Sequence, residues 1–278
     1  MKFFNYQVVL LLMVMPQFSM ADDLAKQSQN PLGTVISLPF ENNFYSGVGP
    51  SDASVYTMNF KPVYPVNIGD WNIINRFILP AMYSEGQDGP VPPGIEVDAG
   101  YSGIIELAQG SEFGLGDLNY TAFISPAEPG KWIWGLGPAM VLPTATEDRY
   151  ASDKFSLGAS VVALSMPGNW VYGFLLQNVW SVAGDDDAPD VNKFLGQYFV
   201  NYNMKNGWYL SSTPVITANW EADSGNQWTV PLGGGVGRLV KHGELPVDYK
   251  LVAYKNIEKP QFAPDWNVQF TIKFLLSK

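Results

Sequence analysis

The chain has no cysteine in its 278 residues, so no disulfide can hold it together. It has a single histidine, His242, which leaves no His/Cys cluster for a transition metal. Basic residues are scarce: 16 Lys and Arg stand against 26 Asp and Glu, a formal charge of −10. With no basic run, that balance argues against nucleic acid as a partner. Long apolar runs are also missing. The one unbroken run, Val8 to Met15, is far short of the roughly 20 residues that a membrane-crossing helix needs. Helical membrane architecture is thereby excluded, but transmembrane strands are nearly invisible to such a test.

The run at Val8 has its own meaning. Lys2 precedes it, Pro16 and Gln17 end it, and Ser19-Met20-Ala21 follows with small residues where a signal peptidase reads. The sequence predicts a cleaved signal peptide over 1–21, with Asp22 as the mature N-terminus. Removing Lys2 takes the formal charge to −11. Residues 22–33 are polar and irregular and read equally as a periplasmic tail or as a plug inside a lumen.

What is present is alternation. From Trp266 the even positions read Trp266, Val268, Phe270, Ile272, Phe274 and Leu276. The odd ones read Asn267, Gln269, Thr271 and Lys273, then Leu275 and Ser277. Successive strand side chains point to opposite faces, so this is a strand with one apolar and one polar face. Twelve such stretches follow residue 33, near 34–45, 55–66, 70–83, 113–125, 131–142, 154–166, 169–182, 192–204, 207–221, 227–240, 246–256 and 265–276. Short connections rich in Gly, Pro, Asn and Asp (67–70, 128–130, 167–169, 205–207, 242–244) alternate with mostly longer ones (46–54, 84–112, 143–153, 184–191, 222–226, 257–264). Short turns on one rim and long loops on the other are the pattern of an outer-membrane barrel. An even strand number brings both ends of 34–278 to the short-turn, periplasmic rim.

Two further tests agree. Trp71, Trp132, Trp170 and Trp208 sit beside short turns, and Trp180, Trp220, Trp228 and Trp266 beside long loops. Lipid headgroups favour such rings, so these eight are expected to form two interface girdles. Strand parity then assigns a lumen face to Glu41, Asn59, Lys61, Arg76, Asp117, Asn119, Gln177, Gln197, Asn201, Asn203, Glu221, Asp248, Lys250, Gln269 and Lys273. Only Arg238 and Lys255 break the parity. Both lie near strand ends, where long cations can snorkel, and a bulge in Gly233-Gly234-Gly235 would also reset the register before Arg238.

Chemistry-bearing motifs are weak. Gly233-Gly234-Gly235-Val236-Gly237 has no Gly-Lys-Ser/Thr after it and reads as close packing within strand, not as a phosphate loop. Asp185-Asp186-Asp187 lacks calcium-loop spacing and reads as a solvated loop. His242 falls on a periplasmic turn, away from the outer rim where a barrel hydrolase would need a Ser/His pair. No catalytic, cofactor or metal residue is therefore assigned.

Several segments together resemble a family of bacterial outer-membrane proteins. They are Asn30-Pro31-Leu32-Gly33-Thr34-Val35-Ile36-Ser37-Leu38-Pro39-Phe40-Glu41-Asn42-Asn43 and Asp70-Trp71-Asn72-Ile73-Ile74-Asn75-Arg76. Gly135-Leu136-Gly137-Pro138-Ala139-Met140-Val141-Leu142-Pro143-Thr144-Ala145-Thr146 and Asn201-Tyr202-Asn203 follow, then Thr217-Ala218-Asn219-Trp220-Glu221-Ala222 and Trp228 through Gly237. Members of that family are labelled transporters, sometimes tied by name to the meta-pathway of phenol degradation and sometimes mislabelled neuromedin U. The resemblance implies a Gram-negative outer membrane and a barrel, and it transfers no functional residues.

The expected fold is thus an all-β, transmembrane, antiparallel up-and-down barrel of about twelve strands. The expected function is passive, porin-like passage of small polar or amphipathic solutes, aromatic ones among them. Its expected surroundings are outer-membrane lipid and lipopolysaccharide, with the barrel-assembly machinery reading the end of the chain from Phe274 or Leu276, and it is expected to be a monomer. The loop 84–112 is a candidate constriction. A surface barrel with a closed lumen, acting through its loops, is the alternative.

Overall fold

A computed structural model describes residues 16–50, 52–84 and 112–276. The expected constriction loop lies almost wholly in 85–111, outside the described residues, as do residues 1–15 of the expected signal peptide. A helix, α1 (Pro16–Ser28), opens the described chain and runs across the expected cleavage point.

Every later regular element of length is a strand: β1 (Ile36–Val48), β2 (Ala53–Phe60), β3 (Val63–Asn67), β4 (Trp71–Ser84), β5 (Glu112–Leu115), β6 (Leu118–Pro126), β7 (Ile133–Leu142), β8 (Lys154–Ser165), β9 (Trp170–Gly184), β10 (Asn192–Asn203), β11 (Trp208–Ser212), β12 (Val215–Asn219), β13 (Trp228–His242), β14 (Leu245–Glu258) and β15 (Trp266–Leu276). Three pairs, β2/β3, β5/β6 and β11/β12, are halves of one stave each, so fifteen strands make a closed antiparallel barrel of twelve. The splits have local causes. Pro62 and Pro214 carry no N–H for the ladder, and Asp117 turns its carboxylate to capture a loop. Backbone bonds still cross two of the breaks, from Phe77 N to Pro62 O (3.1 Å) and from Gly116 N to Pro80 O (2.9 Å).

Closure is antiparallel throughout. The last strand zips onto the first from Ile36↔Leu276 to Ser46↔Trp266. The ring is completed where β9 pairs with β10, and no edge is left open there. In lipid, which offers a backbone no hydrogen bonds, only helices and closed barrels satisfy every N–H and C=O.

The faces follow the alternation. In β15, Trp266, Val268 and Phe270 are exposed, while Gln269 and Thr271 are buried. All nine tryptophans are 37–51 % exposed, which is the reverse of a soluble core. They cluster at the two rims: Trp71 lies 6.2 Å from Trp134 and Trp170 4.8 Å from Tyr202 at the short-turn end, and Trp220 lies 5.3 Å from Trp228 at the other. Arg238 and Lys255 do face outward. Each sits over a girdle ring, Arg238 at 4.9 Å from Trp208 and Lys255 at 5.6 Å from Trp266, which is where an outward cation costs least. No bulge in the glycine run is needed: β13 holds one register on β14 from Pro231 to His242, and the only shift precedes it at Val230/Pro231.

Gly237 shows why the glycines cluster there. It points inward, and a Cβ on it would stand 2.1 Å from the ring of Tyr209. The space it leaves is what lets Tyr209 lie across β13. Gly237→Val should therefore displace Tyr209 at a cost of about 1–3 kcal/mol. The measurement is the temperature at which the unboiled, heat-modifiable gel band of the folded barrel disappears; this should drop for the variant, while an exposed change such as Val236→Leu leaves it unmoved.

Candidate functional site: the barrel lumen

The inside of the barrel is divided lengthwise. On the wall formed by β4, β6, β8, β9 and β10, inward positions carry Ile74, Ile78, Phe123, Val162, Leu164, Leu175 and Phe199, all buried in one cluster. On the wall formed by β14, β15, β1 and β2, the inward positions at mid-height are mostly charged or polar, with apolar residues such as Val55, Val252 and Leu275 also buried there. One rung crosses six strands in register, from β11 through this wall, Tyr209↔Gly237↔Lys250↔Thr271↔Glu41↔Asn59. Such directly opposed residues stand side by side, with Cβ atoms about 4.5–5.5 Å apart.

The chain before β1 lies against both walls at the short-turn end. Lys26 Nζ donates to the carbonyls of Met166 (3.0 Å) and Gly168 (2.6 Å), and Asp22 Oδ1 accepts from Gly207 N (2.9 Å). Gln29 and Asn203 exchange side-chain hydrogen bonds at 2.8 and 3.2 Å. Leu32 enters the apolar cluster and packs on Gly135, where a Cβ would come within 3.1 Å of its methyls. Ala25 meets Leu239 and Leu275.

Two ion pairs mark the charged wall. Lys61 pairs with Glu41, their side chains only 11 % and 14 % exposed. Asp248 receives Tyr209 Oη at 2.8 Å and Ser28 Oγ at 3.2 Å and faces Lys273 Nζ at 3.7 Å; Lys273 also donates to Ser28 O at 2.7 Å. Lys250 Nζ donates to Thr213 Oγ1 at 3.3 Å. Thr213, in the β11/β12 split, in turn accepts Gln197 Nε2 on its carbonyl (3.0 Å) and donates its N–H to Tyr254 Oη (3.2 Å). Two cavities meet at this waist and share Glu41, Lys61, Gln197, Thr213 and Lys250. The one on the helix side adds Arg76, Leu175, Phe199, Asn201 and Tyr209. The one on the long-loop side adds Asn43, Thr229, Tyr254 and Asn256.

Of the residues that parity assigned inward, Asn59, Lys61, Asp117, Asn119, Gln177, Asn201, Asn203, Asp248 and Gln269 are buried, and Glu41, Arg76, Gln197, Lys250 and Lys273 line a cavity half-buried. Glu221 is placed otherwise: it follows β12 on an exposed turn, because the strand ends at Asn219. Asp117 is inward but serves the wall. It accepts the N–H groups of Thr144 (3.0 Å), Ala145 (3.1 Å) and Ser152 (2.9 Å) together with the Ser152 hydroxyl, and so pins the connection between β7 and β8. Gln177 accepts from Thr121 at 3.5 Å and Gln269 donates to Asn43 at 3.3 Å, both within the wall.

Sequence reasoning missed Leu175, Phe199, Tyr209, Thr213 and Tyr254. Four of these are inward by strand parity, but apolar or aromatic character alone does not separate a lumen side chain from one that faces lipid. Thr213 was hidden by the split that Pro214 imposes. His242 stands exposed at the short-turn rim with Tyr249 Oη 3.2 Å away, and no serine hydroxyl among the described residues bonds it. Asp185 turns back to accept Asp187 N at 2.9 Å within an exposed loop.

No family model matches the chain, and no curated protein matches it in sequence. Among solved structures it superposes on an outer membrane channel from Pseudomonas putida F1 with a TM-score of 0.63 at 12 % identity, covering 87 % of this chain and 94 % of that one. The P. putida toluene transporter TodX superposes less well, with a TM-score of 0.46 at 9 % identity over 91 % and 92 % of the two chains. Outer membrane phospholipase A from Escherichia coli gives 0.42 at 10 % identity over 87 % and 92 %. The first of these shows the fold: this chain is a barrel of the outer-membrane type.

Asp117→Ala should orphan three backbone N–H groups, each costing about 1–3 kcal/mol if it stays buried. Limited proteolysis checks this, since cleavage between residues 143 and 153 should become fast in the variant while the remaining barrel stays resistant.

Proposed function

We propose that the chain is a passive channel of a Gram-negative outer membrane that admits small amphipathic solutes, aromatic ones among them. The observation that supports this most directly is the divided lumen. Two cavities meet at a charged waist, and the helix-side cavity is also bordered by Leu175 and Phe199, so a solute with a polar end and an apolar body has a surface for each. The superposition on an outer membrane channel and the family resemblance both favour a transporter of the meta-pathway-labelled family over an enzyme. In this reading residues 1–21 are removed, the short-turn rim faces the periplasm, and residues 22–33 plug the periplasmic mouth. The two tryptophan girdles sit in lipid and lipopolysaccharide. The barrel-assembly machinery inserts the chain, which works as a monomer.

The closed-lumen surface barrel is favoured by one observation, the seven hydrogen bonds that hold residues 22–29 to turns and wall. Proteoliposome swelling separates the two. The mature protein should swell vesicles in small aromatic acids, and deleting 22–33 behind an intact signal peptide should raise the rate several-fold. Absence of swelling with both proteins would overturn the channel.

A further inference from the structure

Among the described residues, the helix-side cavity is lined by Lys61, Arg76, Lys250 and Lys273 and by two carboxylates, Glu41 and Asp248. Glu41 pairs with Lys61, and Asp248 with Lys273. The Lys250 ammonium has only the Thr213 hydroxyl within hydrogen-bond distance and no carboxylate within 4.0 Å among the described residues. A cation taken out of bulk water with no direct carboxylate partner is costly.

The surroundings add unpartnered polar groups. Thr271 lies directly across from Lys250 in the β14/β15 ladder, 4 % exposed, and its hydroxyl has no partner among the described residues. Ser211, also 4 % exposed, lines the same cavity with its hydroxyl likewise unpartnered. Buried hydroxyls usually have partners, and these two, without one, belong to residues that line the same cavity as the Lys250 ammonium. That cavity is also lined by Leu175 and Phe199.

We propose that Lys250, with Thr271 and Ser211, binds the carboxylate of a small organic anion whose apolar body rests on Leu175 and Phe199. An ammonium and two hydroxyls supply donors for both carboxylate oxygens, a charge-assisted set stronger than neutral pairing. The site takes monocarboxylates that carry a ring or short alkyl body. Acetate lacks the body, benzamide lacks the charge, and benzylammonium reverses it. This names the substrate class for the channel function proposed above and rests on that reading for transport, although binding itself does not require an open pore.

The test uses the detergent-solubilised mature barrel with benzoate as probe, by calorimetry and by proteoliposome swelling. Benzoate should bind, and acetate, benzamide and benzylammonium should each bind at least about tenfold more weakly. Lys250→Met should lose benzoate binding by a similar factor, and Lys250→Arg should restore most of it. Leu175→Ala should weaken benzoate and leave acetate unaffected. The heat-modifiable band confirms that each variant is folded. Equal binding of benzoate and benzamide, or unchanged benzoate binding in Lys250→Met, would overturn the site. Binding with the expected pattern but no swelling in any solute would retain the site and defeat the channel, so the two failures remain distinct.

Discussion

A backbone in hydrocarbon has no water to bond to, and the architecture of this chain follows from that. Every stave must find partners on both sides, which forces the last strand back onto the first, Ile36 against Leu276. Once the ring closes, strand alternation assigns every side chain to lipid or lumen with no third choice. The three splits, at Lys61-Pro62, Gly116-Asp117 and Thr213-Pro214, are therefore informative. They are the places where the wall gives up regular pairing, and each brings a polar group inward: Lys61 to its ion pair, Asp117 to a loop, Thr213 to Lys250 and Tyr254.

The described part of the interior combines two kinds of wall. One wall packs like a core, with Phe123, Val162 and Leu164 fully buried. The opposite wall holds charges in a register fixed by the ladder itself. Neither wall alone fills the space, and the chain ahead of β1 touches both, through Leu32 on one side and Ser28 on the other. Buried ion pairs such as Glu41–Lys61 add little net stability, since desolvation opposes their attraction, but breaking one would leave a stranded charge at a cost of about 3–5 kcal/mol. They fix positions more than they hold the barrel together.

Much of this was legible in the sequence because lipid and water leave a period-2 imprint. The strand positions, the short turns and both tryptophan bands follow from residues such as Trp71, Trp180 and Trp266, whose placement has one physical purpose. The lumen was legible only where it is polar. Phe199 and Leu175 point inward, yet composition cannot separate an apolar side chain that faces lipid from one that faces a solute. Glu221 failed for another reason: alternation was extended past Asn219, where the strand stops and the chain turns. Arg238 and Lys255 break the parity because each lies over a girdle ring, and a cation over an aromatic is a tertiary contact that no parity rule contains.

The way the N-terminal segment is held has an evolutionary consequence. Lys26 binds the carbonyls of Met166 and Gly168, Asp22 binds the N–H of Gly207, and Lys273 binds the carbonyl of Ser28. In each case one partner is main chain, which every amino acid supplies. The 167–169 and 205–207 turns can therefore change their other side chains without loosening the segment, but Gly168 and Gly207 are held by their positive φ, and a Cβ on Gly207 would stand 2.4 Å from Leu239 O. The turn lengths cannot change, because one inserted residue moves the carbonyl or N–H out of reach. Relatives should accordingly keep these two glycines and the spacing of the turns while the remaining letters vary.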